Sequence, residues 1–216
     1  AKLSGARLGD VATYLLVKKG RFETGLLRAN AYGGTVKTRL LAVSAPGGVD
    51  VKIQSGLDKV NFGQAAADLP QLARLSGTGG FQLALDGAGR TFDELLGSLT
   101  GRVNLALRQG EIGGMALADL LRRAERNPVQ ALRDWRQGKT AFDTLVANAG
   151  IAGGLLVLTD AQMSGQAYQL NLAGNAALRT RMLDMTALLS STTSQLRLPF
   201  GLKGPVSAPL FELETD

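Results

Sequence analysis

The sequence predicts an α+β fold: one long, curled, mostly antiparallel β-sheet, groove-like, partly covered by a few short helices. Three observations lead there. Apolar residues recur at every second position in run after run, the period of a strand with one face buried. Glycine supplies 28 of the 216 residues while aromatic residues make up 5%, a balance that suits turns and bending strands better than an aromatic-rich core. Only three segments combine a helical period with a start signal. An apolar content of 45% is that of an ordered chain, and no linker splits residues 1–216, which read as a single domain.

Taken in order, "VATYLLVKK" (11–19), "RFETGLLRA" (21–29) and "GTVKTRLLAVS" (34–44) read as strands separated by Gly20 and by Tyr32-Gly33-Gly34. In "GVDVKIQ" (48–54), Val49, Val51 and Ile53 alternate with Asp50, Lys52 and Gln54. Asn61 then caps a helix expected near 62–75, with Gln64 at its third position. "FQLALDG" (81–87) aligns Phe81, Leu83 and Leu85 on one face. Thr91 and Glu94 form a capping box that opens a short helix near 92–99. "RVNLALR" (102–108) aligns Val103, Leu105 and Leu107. After Gly110, Gly113 and Gly114 a third helix is expected near 115–136, continued from Pro128 through Trp135 and ended by Gly138. Its Leu117, Leu120, Leu121 and Ala124 share one face, with Asp119, Arg122, Arg123 and Arg126 on the other. "YQLNLAG" (168–174) aligns Tyr168, Leu170 and Leu172, and "LRLPFGL" (196–202) aligns Leu196, Leu198, Phe200 and Leu202. The short turns between runs imply antiparallel neighbours, greasy on one face and polar on the other.

Catalytic and nucleotide motifs fail one by one. The glycines at 110, 113 and 114 do not fit G-x-G-x-x-G, in which each glycine has its own steric task at a pyrophosphate. Gly138-Lys139-Thr140 resembles the end of a phosphate loop, but Arg133 stands where its first glycine belongs. Histidine and cysteine are absent, which removes the usual general base, the Ser-His-Asp triad and zinc sites built from Cys and His. Neither G-x-S-x-G nor S-x-x-K occurs. The carboxylates are scattered, and Asp93 and Glu94 are accounted for by a helix N-terminus. No catalytic residue, metal site or cofactor is expected.

Two features carry binding instead. The apolar strand faces outnumber the helices available to cover them, so they line either an ordinary core or a trough for acyl chains. The candidates are Phe81, Leu83, Leu85, Val103, Leu105, Leu107, Leu170, Leu172, Leu198 and Phe200. The second feature is charge: Arg outnumbers Lys by 16 to 8 in a net charge of +6. Arg122, Arg123, Arg126, Arg133 and Arg136 cluster at the third helix, as a solvated face or as an anionic-surface contact such as lipid headgroups. Nucleic acid is disfavoured, because among the strands and this helix only Trp135 is placed to stack. No apolar run approaches the ~18 residues of a membrane span. A start at Ala1-Lys2 reads as an excised part of a longer chain.

The order of elements resembles that of the AsmA family of bacterial envelope proteins, in its C-terminal region. The run "GTGGFQLALDGAGRTFDELLGSLTGRVNLALRQGEIGGMALADLL" (77–121) follows the family's strand ending in Gly, capped "ELL-SL-G" helix, "L-L-G-I-G" strand and "DL" helix. "KTAFDTLVANAGIAGGLLVLTDAQMSGQAYQLNLAGNAALRTRMLDM" and the closing "LPFGLKGPVSAPLFEL" resemble its later strands, and "NAYGGTVKTRL" its YGG strand pair. Pro205 departs from the pattern, which has a plain turn residue there. The resemblance implies a β-rich periplasmic body belonging to a chain anchored in the inner membrane. It also implies a link to outer-membrane biogenesis, phospholipid carried along a β-lined groove, and no catalytic residues. Phospholipid or a membrane surface is the implied partner. The alternative is a scaffold or capping domain that docks an outer-membrane assembly protein and carries no lipid itself.

Overall fold

A computed structural model of the chain describes residues 2–3, 6–126 and 138–213. Two short strands, β1 (Lys2–Leu3) and β2 (Ala6–Arg7), pair with each other ahead of the main sheet. The main sheet has twelve strands: β3 (Gly9–Lys18), β4 (Arg21–Ala31), β5 (Gly34–Ala45), β6 (Gly48–Asn61), β7 (Thr78–Gly89), β8 (Thr100–Gly113), β9 (Lys139–Ala152), β10 (Leu155–Gly165), β11 (Tyr168–Ala177), β12 (Met182–Ser191), β13 (Arg197–Pro205) and β14 (Leu210–Leu213). Every strand pairs antiparallel with its sequence neighbours, in the order 3 to 14, and the two edges β3 and β14 do not meet. The sheet is therefore an open meander, as the short turns imply. At Gly153-Gly154, with φ of 58° and 75°, a two-residue turn reverses β9 into β10, a backbone that side chains beyond glycine resist.

Helix is the minor component. The predicted α+β balance is corrected to a mostly β one, with three short α-helices among the described residues: α1 (Phe62–Asp68), α2 (Phe92–Ser98) and α3 (Leu117–Arg126). The first is shorter than expected because Pro70, which lacks an N–H, can only begin a new turn, and a separate 3₁₀ turn spans Pro70–Leu72. The caps fall where expected: Asn61 Oδ1 accepts from Gln64 N at 2.9 Å, and Thr91 Oγ1 accepts from Glu94 N at 3.2 Å. The Glu94 carboxylate reaches back one residue beyond the N-cap, where Arg90 N donates to Oε2 at 2.8 Å. The third helix is tied to the sheet by Thr140, whose hydroxyl donates to Met115 O (2.8 Å) and accepts from Leu117 N (3.0 Å). The continuation of that helix expected through Trp135 lies outside the described residues.

The core sits at one end of the strands. Leu117, Leu120, Leu121 and Ala124 of α3 pack with Leu107, Phe142, Met163, Leu170, Leu189, Leu198 and Phe200 from the sheet, and Val60 from the end of β6 and Phe62 from the start of α1 join them. No helix among the described residues is long and apolar enough to cross a membrane.

Candidate functional site: an apolar sheet face and its cavity

Because side chains alternate across a strand, the register decides which residues share a face. One row crosses the sheet as Leu15, Thr24, Leu40, Ile53, Leu85, Gly101, Ile151, Leu156, Ala176 and Leu183. The next but one runs Val36, Leu57, Phe81, Leu105, Ala147, Ala161, Leu172, Ala187, Phe200. Leu83 and Val103 lie in the row between them, and Leu107, Leu170 and Leu198 in the row beyond. All ten trough candidates therefore stand on the same apolar face.

They do not share one environment. Leu107, Leu170, Leu198 and Phe200 are buried in the cluster under α3, with Leu107 only 1% exposed. Phe81, Leu105 and Leu172 are half-buried at its margin. Leu83, Leu85 and Val103 are half-buried outside the cluster. At the other end of the face, α2 closes down on β7, where a side chain at Gly87 would meet Leu95 and Leu99 at 3.1 and 3.0 Å. The apolar face is thus filled at one end, bounded at the other, and less covered between.

A cavity of about 680 Å³ opens on the same face at its β3–β6 side. Leu15, Leu26, Val36, Leu40 and Leu57 of the sheet face Phe62, Ala65, Leu69 and Leu72 across it. None of the ten candidates lines it, so the sequence reading missed this part of the face. The signal was partial: Thr38 and Ser55 interrupt the apolar alternation between Val36 and Leu40 and between Ile53 and Leu57, while Phe62, Ala65, Leu69 and Leu72 recur at helical spacing. The cavity's rim is latched by Tyr32, whose hydroxyl donates to Asp68 Oδ2 at 3.0 Å and accepts from Arg7 N at 3.1 Å. Arg7 Nε also pairs with Asp68 Oδ2 at 3.2 Å.

Electrostatic structure is concentrated at Glu23, on the opposite, polar face. Its carboxylate accepts from Arg21 Nη2 (2.7 Å), from Arg39 Nη2 and Nε (2.7 and 3.0 Å), and from Tyr14 Oη (2.9 Å). Those hydrogen bonds, first from Arg21, then Arg39 and Tyr14, hold its pKa down to about 2. Burial pushes the Tyr168 hydroxyl, which donates to Ala141 O at 2.7 Å, up to about 12.

Of the predicted basic cluster, Arg122 and Arg126 are exposed on α3 and Arg123 is half-buried. Arg122 pairs with Asp119 on the same helix. Arg133 and Arg136 lie outside the described residues. The AsmA family model matches residues 1–161 of the 216. That match takes in the YGG strand pair and the 77–121 run and ends inside β10. No curated protein and no solved structure matches the chain.

Proposed function

The chain belongs to the AsmA family, and on that premise we propose that it is a non-enzymatic envelope-biogenesis domain. In this reading it holds phospholipid acyl chains on the apolar face of its sheet, in the periplasm between inner and outer membrane. The observation that supports this most is the continuity of that face, which carries small or apolar residues across the sheet and keeps a 680 Å³ apolar cavity beside it. Each methylene laid on such a surface contributes about 0.8 kcal/mol, so an acyl chain is held without a dedicated headgroup pocket. A second reading has its own support. The end of the face under α3 is occupied by the buried cluster, which suits a module that caps a groove or docks an assembly protein.

Solvent extraction of the purified protein, followed by a fluorescent phospholipid titration, separates the two. Carriage predicts co-purifying phospholipid and binding at micromolar protein. Val103 is half-buried outside the packed cluster, so Val103→Asp should abolish binding while melting temperature and far-ultraviolet dichroism stay near the parent's. Absence of lipid and of binding would leave the capping reading in place.

A further inference from the structure

The polar face carries a hollow that none of the foregoing uses. It is an open depression of about 810 Å³ that spans β3 to β8. Two register rows build it. One runs Lys37, Gly56, Gln82 and Asn104; the next runs Arg39, Gln54, Ala84 and Arg102; on β9, outside the lining, Asn148 and Gly150 continue them. The two middle strands therefore place Gly56 and Ala84 on one diagonal and Gln54 and Gln82 on the other, with long polar side chains from β5 and β8 on either side. With strands about 4.8 Å apart, the walls are separated by roughly 14 Å at the backbone, wide enough for a sugar ring between them.

Gly56 has no structural reason to be glycine. A side chain there would meet nothing within 4 Å, and its φ is not among the positive ones. Gly150, beside Arg102 on the same face, is alike in both respects. Most interior strand glycines of this sheet behave otherwise: at Gly79, Gly101 or Gly110 an added side chain would collide with backbone. Glycine weakens a strand by about 0.5–1 kcal/mol against alanine, so the unforced Gly56 in the floor of the hollow marks space that is kept open, and Gly150 repeats the choice on β9, just beyond the lining.

The chemistry around that space is specific. Lys37 and Arg102 are exposed and make no ion pair among the described residues, while Glu23, the one carboxylate lining the hollow, is already saturated by Arg21 and Arg39. Gln54, Gln82 and Asn104 add carboxamides, which both donate and accept and so match hydroxyl groups; Asn104 Nδ2 donates to Asn148 Oδ1 at 2.7 Å, which turns its own Oδ1 to the acceptor role. We propose that this hollow binds an anionic saccharide, with its acidic group on Lys37 and Arg102, its hydroxyls on Gln54, Gln82 and Asn104, and a ring seated over Gly56.

The test uses tetragalacturonate as the acidic probe, with maltotetraose, tetraglutamate and inorganic phosphate as comparisons, by calorimetry at low salt. Tetragalacturonate should bind at least tenfold more tightly than any of the three. Gly56→Leu should fill the hollow and cut that affinity at least tenfold, with an unchanged or higher melting temperature. Arg102→Gln should weaken it severalfold, and it keeps the test decisive if Gly56→Leu fails to fold. Equal binding of tetraglutamate would reduce the hollow to a charge patch, and equal binding of phosphate to a bare anion site. Either result, or unchanged affinity in both variants, overturns the proposal. Phospholipid binding on the opposite face should be unaffected by Gly56→Leu, so failure here is separable from failure of lipid carriage.

Discussion

Glu23 shows what a single residue contributes on the polar face. The carboxyl titrates near 4.5 in an ordinary setting and near 2 beside Arg21, Arg39 and Tyr14. Because the folded value is depressed, the stability it contributes is fully present above about pH 4.5 and is lost as pH falls through about 2. Glu23→Gln should therefore lower stability at neutral pH and flatten its pH dependence between 4.5 and 2, measured by thermal melts across that window. Parallel curves for parent and variant would show that the network carries no such linkage. Aromatic residues at this scale do a different job. Tyr14 lies over Gly25, Phe142 over Gly110 and Tyr168 over Gly165, each so close that an added side chain on the glycine would meet the ring at 2.4–2.5 Å. Gly110, which in sequence invites a phosphate-loop reading, is directly paired with Phe142 and makes room for that ring. Aromatic cover of strand glycines is a known way to pin register.

Elements were legible in proportion to how local their causes are. The caps at Asn61 and Thr91 and the buried face of α3 are set by residues within a turn of each other, and all three fall where the periodicity places them. The extent of α1 was overread because its apolar spacing continues through Leu72 past Pro70. The strands could be assigned singly, but which candidates are packed and which are half-open depends on where α3 lands, and that is decided by Thr140, 23 residues from Leu117. The cavity beside α1 likewise needs β3 to β6 and α1 brought together, a non-local fact. The outer face of α3 gives the second prediction. Its reading as an anionic-lipid contact expects Arg122→Glu with Arg126→Glu to weaken association with vesicles containing anionic lipid. At about 1 kcal/mol per basic residue near such a surface, the loss should be at least tenfold at low salt and should shrink as salt is raised. Binding that does not change would return that face to a solvated one, a role its Asp119 pairing already fits.

At the scale of the whole molecule, a meander whose strands pair only with sequence neighbours leaves two edges, and they differ. The β14 edge has four residues, with Pro209 immediately before it; short length and proline are protections against strand addition. The β3 edge has ten residues and no proline, and its Leu15 and Val17 are 66% and 68% exposed on the apolar face. That edge offers unpaired backbone groups beside greasy side chains, the combination that templates another strand. The protein should therefore self-associate as its concentration rises, through β3 and not through β14. Leu15→Lys with Val17→Lys places charge along that edge at sites with little packing to lose, so folding should be kept while association weakens severalfold. Sedimentation velocity over a hundredfold range of concentration checks this. If parent and variant sediment alike throughout, the β3 edge is inert, and the apolar row that starts at Leu15 ends there without a partner.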